Sequence, residues 1–198
     1  MNDYIKDISI RGRFAIGLTC LKKKLRTENL HWREDIRLVL EKYSKFTNSD
    51  KLDVWETEIQ FYGTTIVEFK NSKRVIELMN KENTKMDNFN NNRGNHSDYY
   101  KAISLIIEPE QTYSNLIEFY KADTSGVKEI VELCEDIGRD NLYGGIVNNS
   151  QETLLPLLKI LDILELHNEF DFKAIANNYH FKIDGGWGQK FEFKTFRK

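Results

Sequence analysis

Cysteine and proline are both scarce in this 198-residue chain, with two of each, and no apolar run is long enough to cross a bilayer. Each shortage closes off a class of protein. Two thiols, Cys20 and Cys134, cannot build the disulfide lattice of a small secreted scaffold. Two prolines leave no polyproline segment and suit a helical chain joined by polar, asparagine-rich loops. The longest aliphatic stretch, Leu154 to Leu166, is thirteen residues, short of the roughly twenty that span a membrane. Residues Met1 to Ile10 carry Asp3, Lys6 and Asp7 without an apolar segment or a small-residue cleavage site, so a cytoplasmic location with reduced thiols is expected.

Chemical motifs are missing as well. His31, His96, His167 and His180 lie far apart and the cysteines form no CxxC, so a metal centre would have to be assembled in three dimensions. His96 with Asp98 two residues on is only a faint hint of one. No nucleophile elbow surrounds a serine and no zincin pattern surrounds a histidine. Gly144-Gly145 lacks the spacing and the lysine of a phosphate loop and reads as a tight turn. We therefore expect no catalytic residue, no metal ligand and no cofactor.

The most apolar stretch is Leu154 to Leu166, where nine of thirteen residues are aliphatic and point all round a helix. Burying them is worth roughly 13 to 27 kcal/mol gross. Such a helix has to be covered by other elements. Periodicity supplies those elements. Phe14, Leu18, Leu21 and Leu25 line one helix face; Trp32, Ile36, Val39, Leu40, Tyr43 and Phe46 a second; Leu52, Trp55, Ile59 and Tyr62 a third, capped by Ser49 or Asp50; Val75, Leu78 and Met79 a fourth. Residues 83–97 are rich in asparagine and read as a long surface loop. Pro109 breaks the helical pattern of Tyr99 to Tyr120 near Glu108. Val127, Ile130, Val131, Cys134 and Ile137 line another face, with Gly138 placed to stop that helix. Ser150 or Thr153 can cap the hydrophobic helix, and Pro156 fits its first turn. From Tyr179 the apolar period shortens to two, which predicts a small β-hairpin or an extended tail over 179–198. The expected fold is mostly α: one domain over 1–198, a helical bundle around a central hydrophobic helix. A chain of this length can bury roughly 70% of its unfolded surface in one core.

The net charge of −2 hides an uneven distribution. Residues 1–45 carry a balance of +5, residues 46–97 of −1, residues 98–171 of −10 and residues 172–198 of +4. Within the acidic block Glu129, Glu132 and Asp136 share one helix face, with Glu135 beside them and Asp140 just beyond. These five carboxylates are the first candidates for binding a basic protein partner. Trp187, set among Gly185, Gly186 and Gly188, is either a packing plug or an exposed anchor for a partner. Lys22-Lys23-Lys24 invites a nucleic-acid reading, but no stacking aromatics or known module accompany it, so neither nucleic acid nor membrane is an expected partner.

Four short blocks resemble a mostly helical family of bacterial immunity proteins from polymorphic toxin systems: Arg13-Phe14-Ala15-Ile16-Gly17-Leu18 with Leu21; Leu52-Asp53-Val54-Trp55-Glu56; Ile137-Gly138-Arg139-Asp140-Asn141-Leu142-Tyr143-Gly144-Gly145; and Gly185-Gly186-Trp187-Gly188. Together they span nearly the whole chain. The resemblance implies a small cytoplasmic protein, encoded beside a secreted toxin, that protects its producer by binding that toxin. It carries over no particular contact residue. Many toxins that attack nucleic acid have basic active-site clefts, and the acidic block over 98–171 is expected to fill one by mimicking phosphate charge. The alternatives from the residues are a helical adaptor without a toxin, and a carboxylate hydrolase gathering His31, His96 and His180 in one pocket. Oligomeric state is not legible in the sequence.

Overall fold

The computed structural model describes residues 3–92, 104–143 and 145–196. Among them the regular structure is helical, apart from an isolated antiparallel bridge between Ile8 and His180. The α-helices are α1 (Ile10–Thr27), α2 (Glu34–Ser44), α3 (Leu52–Ile59), α4 (Ser72–Asn92), α5 (Glu110–Ala122), α6 (Val127–Arg139), α7 (Gln151–Ile163) and α8 (Phe172–Asn178), with 3-10 turns at Asp3–Asp7, Lys45–Thr47, Thr64–Phe69 and Ile183–Gly186. The mostly α fold is the one expected. The chain divides into two compact units, Met1–Ile59 with Asp123–Lys198, and Gln60–Ala122.

In the first unit α1 packs on both α6 and α7, which also pack on each other. Ser9 starts α1, its Oγ accepting the Gly12 N–H at 3.2 Å, and Lys24 and Arg26 sit in the last turn, where cations complement the helix dipole. Every residue from Ile10 to Leu21 is buried. The enclosed centre of this unit is therefore the first half of α1, including the guanidinium groups of Arg11 and Arg13. Helix α7 is less enclosed than its composition predicts, because Leu155 is 61% exposed and Ile163 42%. Its other aliphatic side chains, Leu154, Leu157, Leu158, Ile160 and Leu161, face inward.

Buried cations on α1 need partners, since an unpaired charge in an apolar interior costs several kcal/mol. Arg13 donates to the Ser150 carbonyl, the Thr153 hydroxyl and the Lys6 carbonyl, each at 2.8 Å, and its guanidinium lies 5.0 Å from the Phe181 ring centre. Burial lowers its pKa to about 10, with Asp7 opposing the shift. The arginine ties the N-terminal turn to the start of α7. Asn141 donates to Ser150 Oγ at 2.7 Å, closing the network. Arg11 in turn donates to the Phe46 and Ser49 carbonyls.

An aromatic cluster fills the space between α1, α2 and α3. Phe14 lies 4.3 Å from Phe46 and 5.4 Å from Trp55, and Phe46 lies 4.8 Å from Trp55, centroid to centroid. Trp55 Nε1 donates to the Lys42 carbonyl at 3.2 Å. Gly138 does not stop α6, which continues through Arg139; a Cβ there would stand 2.4 Å from the Trp55 ring. Close packing, not left-handed backbone, requires that glycine. Trp32, expected inside, is 66% exposed because α2 begins only at Glu34.

In the second unit α4 and the Thr64–Phe69 turn both pack on α5. Three tyrosines occupy its core. Tyr120 donates to the Tyr62 carbonyl at 3.1 Å, Tyr62 to the Ile106 carbonyl at 3.0 Å, and Tyr113 to Met79 Sδ at 3.1 Å while accepting the Glu108 N–H. Pro109 immediately precedes α5, so the expected break near Glu108 is present. The loop expected over 83–97 is corrected: α4 runs to Asn92, and the rest of that range lies outside the described residues. Asparagine only mildly disfavours a helix interior, and here the Asn83 amide both donates to and accepts from the Leu105 backbone, at 3.1 and 2.7 Å.

Of the two C-terminal alternatives the extended tail is present. Beyond the Ile183–Gly186 turn the chain runs extended, with the Phe191 N–H on the Thr47 carbonyl at 3.0 Å and the Phe196 N–H on Thr19 Oγ1 at 3.2 Å. Phe191 and Phe196 pack against Tyr179, at 4.3 and 5.4 Å. With partners on α1 and on the turn after α2, the extended segment needs no hairpin mate.

Candidate interaction surface

Helix α6 is sharply two-faced. Val127, Ile130, Val131, Leu133, Cys134 and Ile137 are buried, and Glu129, Glu132 and Asp136 are exposed with Asp140 just past the helix end. Glu135 falls on the inner side. It is 3% exposed, accepts from the Tyr43 hydroxyl at 2.5 Å, and takes Arg139 at 3.3 Å. The expectation that all five carboxylates face a partner is therefore corrected for Glu135. One position along a helix turns a side chain through about 100°, enough to move it from the outer face to the core.

Charge is not uniform along the outer face. Lys159 of α7 reaches Glu129 at 2.8 Å, and Lys128 lies 3.8 Å from Glu132. At the other end Asp136 and Glu152, the latter from the first turn of α7, both act on Asp140. Partial burial, Asp136 and Glu152 together push the Asp140 carboxyl up to about 6. Asp136 is raised too, mainly by partial burial, with Arg139 and Lys159 opposing. Each carboxylate here would gain from a cation placed beside it.

Exposed apolar groups lie close to these carboxylates along the chain, Tyr143 three residues after Asp140 and Leu155 three residues after Glu152 on α7. Tyr143 is 79% exposed, Val147 59% and Leu155 61%. Tyr143 donates to a Glu56 carboxylate oxygen, which holds the ring in place and raises the phenol to about 12. Asn148, Asn149 and Ser150 all have φ between 50 and 57°, a left-handed run that non-glycine residues rarely adopt. The buried Arg13, Asn141 and Thr153 hold that run at Ser150, whose Oγ faces Asn141 and Thr153 instead of capping α7. Neither Glu152 nor these apolar residues is evident from sequence: the exposed Leu155 sits within an aliphatic run, and Tyr143 in a glycine turn.

Trp187 lies apart from this surface. It is half-buried 6.3 Å from Phe46, and its carbonyl accepts the Arg11 N–H at 3.2 Å. Gly188 has φ +80°, and a Cβ on it would stand 2.3 Å from Ser9 Oγ. This is the arrangement of a packing plug. The histidines offer no counterpart on α6: His31 lies at the end of α1, His167 bonds Asp162 at 2.6 Å, His180 bridges Ile8, and His96 is outside the described residues. Among the described residues no group of three or more His, Cys, Asp or Glu could hold a metal ion. Cys20 and Cys134 are buried and free, and burial raises both thiols, Cys20 to about 12, away from the reactive range. No described helix is long and apolar enough to cross a membrane.

The four sequence blocks converge on the packing just described. Arg13 anchors Ser150, Phe14 and Trp55 meet edge to face, Gly138 admits Trp55, Arg139 pairs with Glu135, and Gly188 lies on Ser9. Most of their residues build the interior; Asp140 and Tyr143 are the ones that reach the acidic end. Searches against protein-family models, characterised proteins and solved structures found no match to this chain.

Proposed function

We propose that this chain is a cytoplasmic immunity protein that binds and blocks a cognate, basic bacterial toxin, acting by occlusion and not by catalysis. The observation that carries this reading is the carboxylate end of α6, where Asp136 and Glu152 act on Asp140, together with the exposure of Tyr143 and Leu155, close to those residues along the chain. A protein interface of typical strength pairs a few large anchors with charge complementarity around them. Tyr143 and Leu155 supply the anchors. The carboxylates supply the charge, since a lysine or arginine from the toxin would relieve the repulsion that Asp136 and Glu152 exert on Asp140. A stable complex buries about 800 Å² on each side, more than one helix face, so α7 and the turn between the helices take part. The resemblance to immunity proteins of toxin systems supports the same reading.

The test is co-expression with the product of the adjacent toxin-like gene, scored for growth rescue and for a stoichiometric complex. Rescue with a tight complex is the expected result. Growth arrest with no complex would overturn the proposal.

A further inference from the structure

The basic end of α1 borders a different feature, a cleft of about 520 Å³. We propose that this cleft binds a phosphorylated aromatic small molecule of mononucleotide size. Lys22, Lys23 and Arg26 contribute cations from α1, the half-buried Phe196 contributes a ring from the tail, and the buried Phe170 forms part of the wall from the segment before α8. A second cleft of about 370 Å³ shares Lys22 and Arg26 and adds His31 and Arg37. The tail separates the two: Lys22 donates to Thr195 Oγ1 at 3.2 Å and lies 5.4 Å from the Phe193 ring. Thr19 holds the tail there by accepting the Phe196 N–H.

The composition of the larger cleft selects its ligand. Complementing the dipole of α1 needs no more than one or two cations in the last turn, whereas three converge on this cavity. Among the described residues its one lining carboxylate, Glu169, is 3.2 Å from Lys23, and both side chains are about half exposed, so the pair is weak and readily exchanged for a stronger anion. A phosphate dianion matches several cations better than a single carboxylate does, and the arginine fork takes two of its oxygens. Aromatic side chains favour a planar ring as the other half of the ligand. The volume lies within the range of small-molecule pockets.

The full-length chain, labelled with nitrogen-15, is titrated with adenosine 5′-monophosphate, adenosine and inorganic phosphate while amide shifts are followed. Expected are saturable monophosphate binding with Kd below about 1 mM and shifts at Thr19, Asn168, Phe170 and Thr195, with adenosine and phosphate each at least about tenfold weaker. Arg26→Glu and Lys23→Glu lie at exposed positions and should each weaken binding by about tenfold with the rest of the spectrum unchanged. Any of four results overturns the proposal: no saturation, equal affinity for phosphate alone, shifts confined elsewhere, or unchanged affinity in both variants. Affinity that grows with oligonucleotide length would overturn it too, by indicating a polymer track.

Discussion

The inner and outer faces of α6 handle charge in opposite ways. Inside the unit each ionised group has a defined partner: Glu135 has Tyr43 and Arg139, Lys42 has Glu58 at 2.9 Å, and Arg13 has two carbonyls and a hydroxyl. On the outer face, at the α6–α7 end, Asp136 and Glu152 are brought close enough to Asp140 to raise its pKa, on top of partial burial. Folding alone would not favour that grouping. The interior is built to hold one arrangement, whereas the outer end stores repulsion that a cationic partner would release.

Substitutions that exchange the character of the two faces test this contrast. The largest effect is expected in the interior. Trp55→Ala removes the ring packed on Phe14, Phe46 and Gly138 and should cost about 3 to 5 kcal/mol in urea unfolding. Gly138→Val, which presses on that ring from the other side, should cost about 1 to 3 kcal/mol or more. Arg13→Leu follows at about 3 kcal/mol, because the Ser150 and Lys6 carbonyls and the Thr153 hydroxyl lose their shared donor inside the protein. If Arg13→Leu left the melting temperature unchanged, the polar anchor of the α7 start would be dispensable.

On the outer face the order reverses, with little change in stability and a large change in binding. The double variant Glu132→Lys, Asp136→Lys should alter unfolding by less than about 0.5 kcal/mol. It should weaken toxin binding at least tenfold in low-salt titration, and unchanged affinity would remove this face as the interface. Leu155→Asp should do the same to binding by removing an anchor that is already exposed.

The smallest effect is a pH dependence. Because the folded pKa of Asp140 is raised to about 6, its unfolded form binds fewer protons between about pH 4 and 6. Its contribution to stability is therefore fully present below about pH 4 and lost as pH rises through 6. Asp140→Asn should abolish that slope and stabilise the free protein at pH 7 by less than about 1 kcal/mol, after allowance for solvent screening. Toxin binding, which favours the ionised carboxylates, should tighten between pH 5 and 7 in the original chain and do so less steeply in the variant, where the raised Asp136 remains.

Local sequence determined most of the helices. Period 3.6 located α1, α2, α3 and α6, aliphatic density located α7, and Pro109 marked the start of α5, because burial of side chains and loss of a backbone donor act over a few residues. The acidic stripe of Glu129, Glu132 and Asp136 was equally legible, as three residues on one turn-to-turn line. Tertiary structure decided the rest. Aliphatic density pointed to α7 as the centre, yet the first half of α1 is the more enclosed, because Arg11, Arg13 and Thr19 disguise a helix buried on every side. Their buried state depends on carbonyls and hydroxyls supplied by distant segments such as Phe46 and Ser150, a complementarity no local pattern contains. The same holds for Gly138, whose reason is Trp55, and for Glu152, which joins the acidic end only because α7 folds back against α6. Which side chains each helix could offer was written locally; which neighbour each would meet was settled by packing.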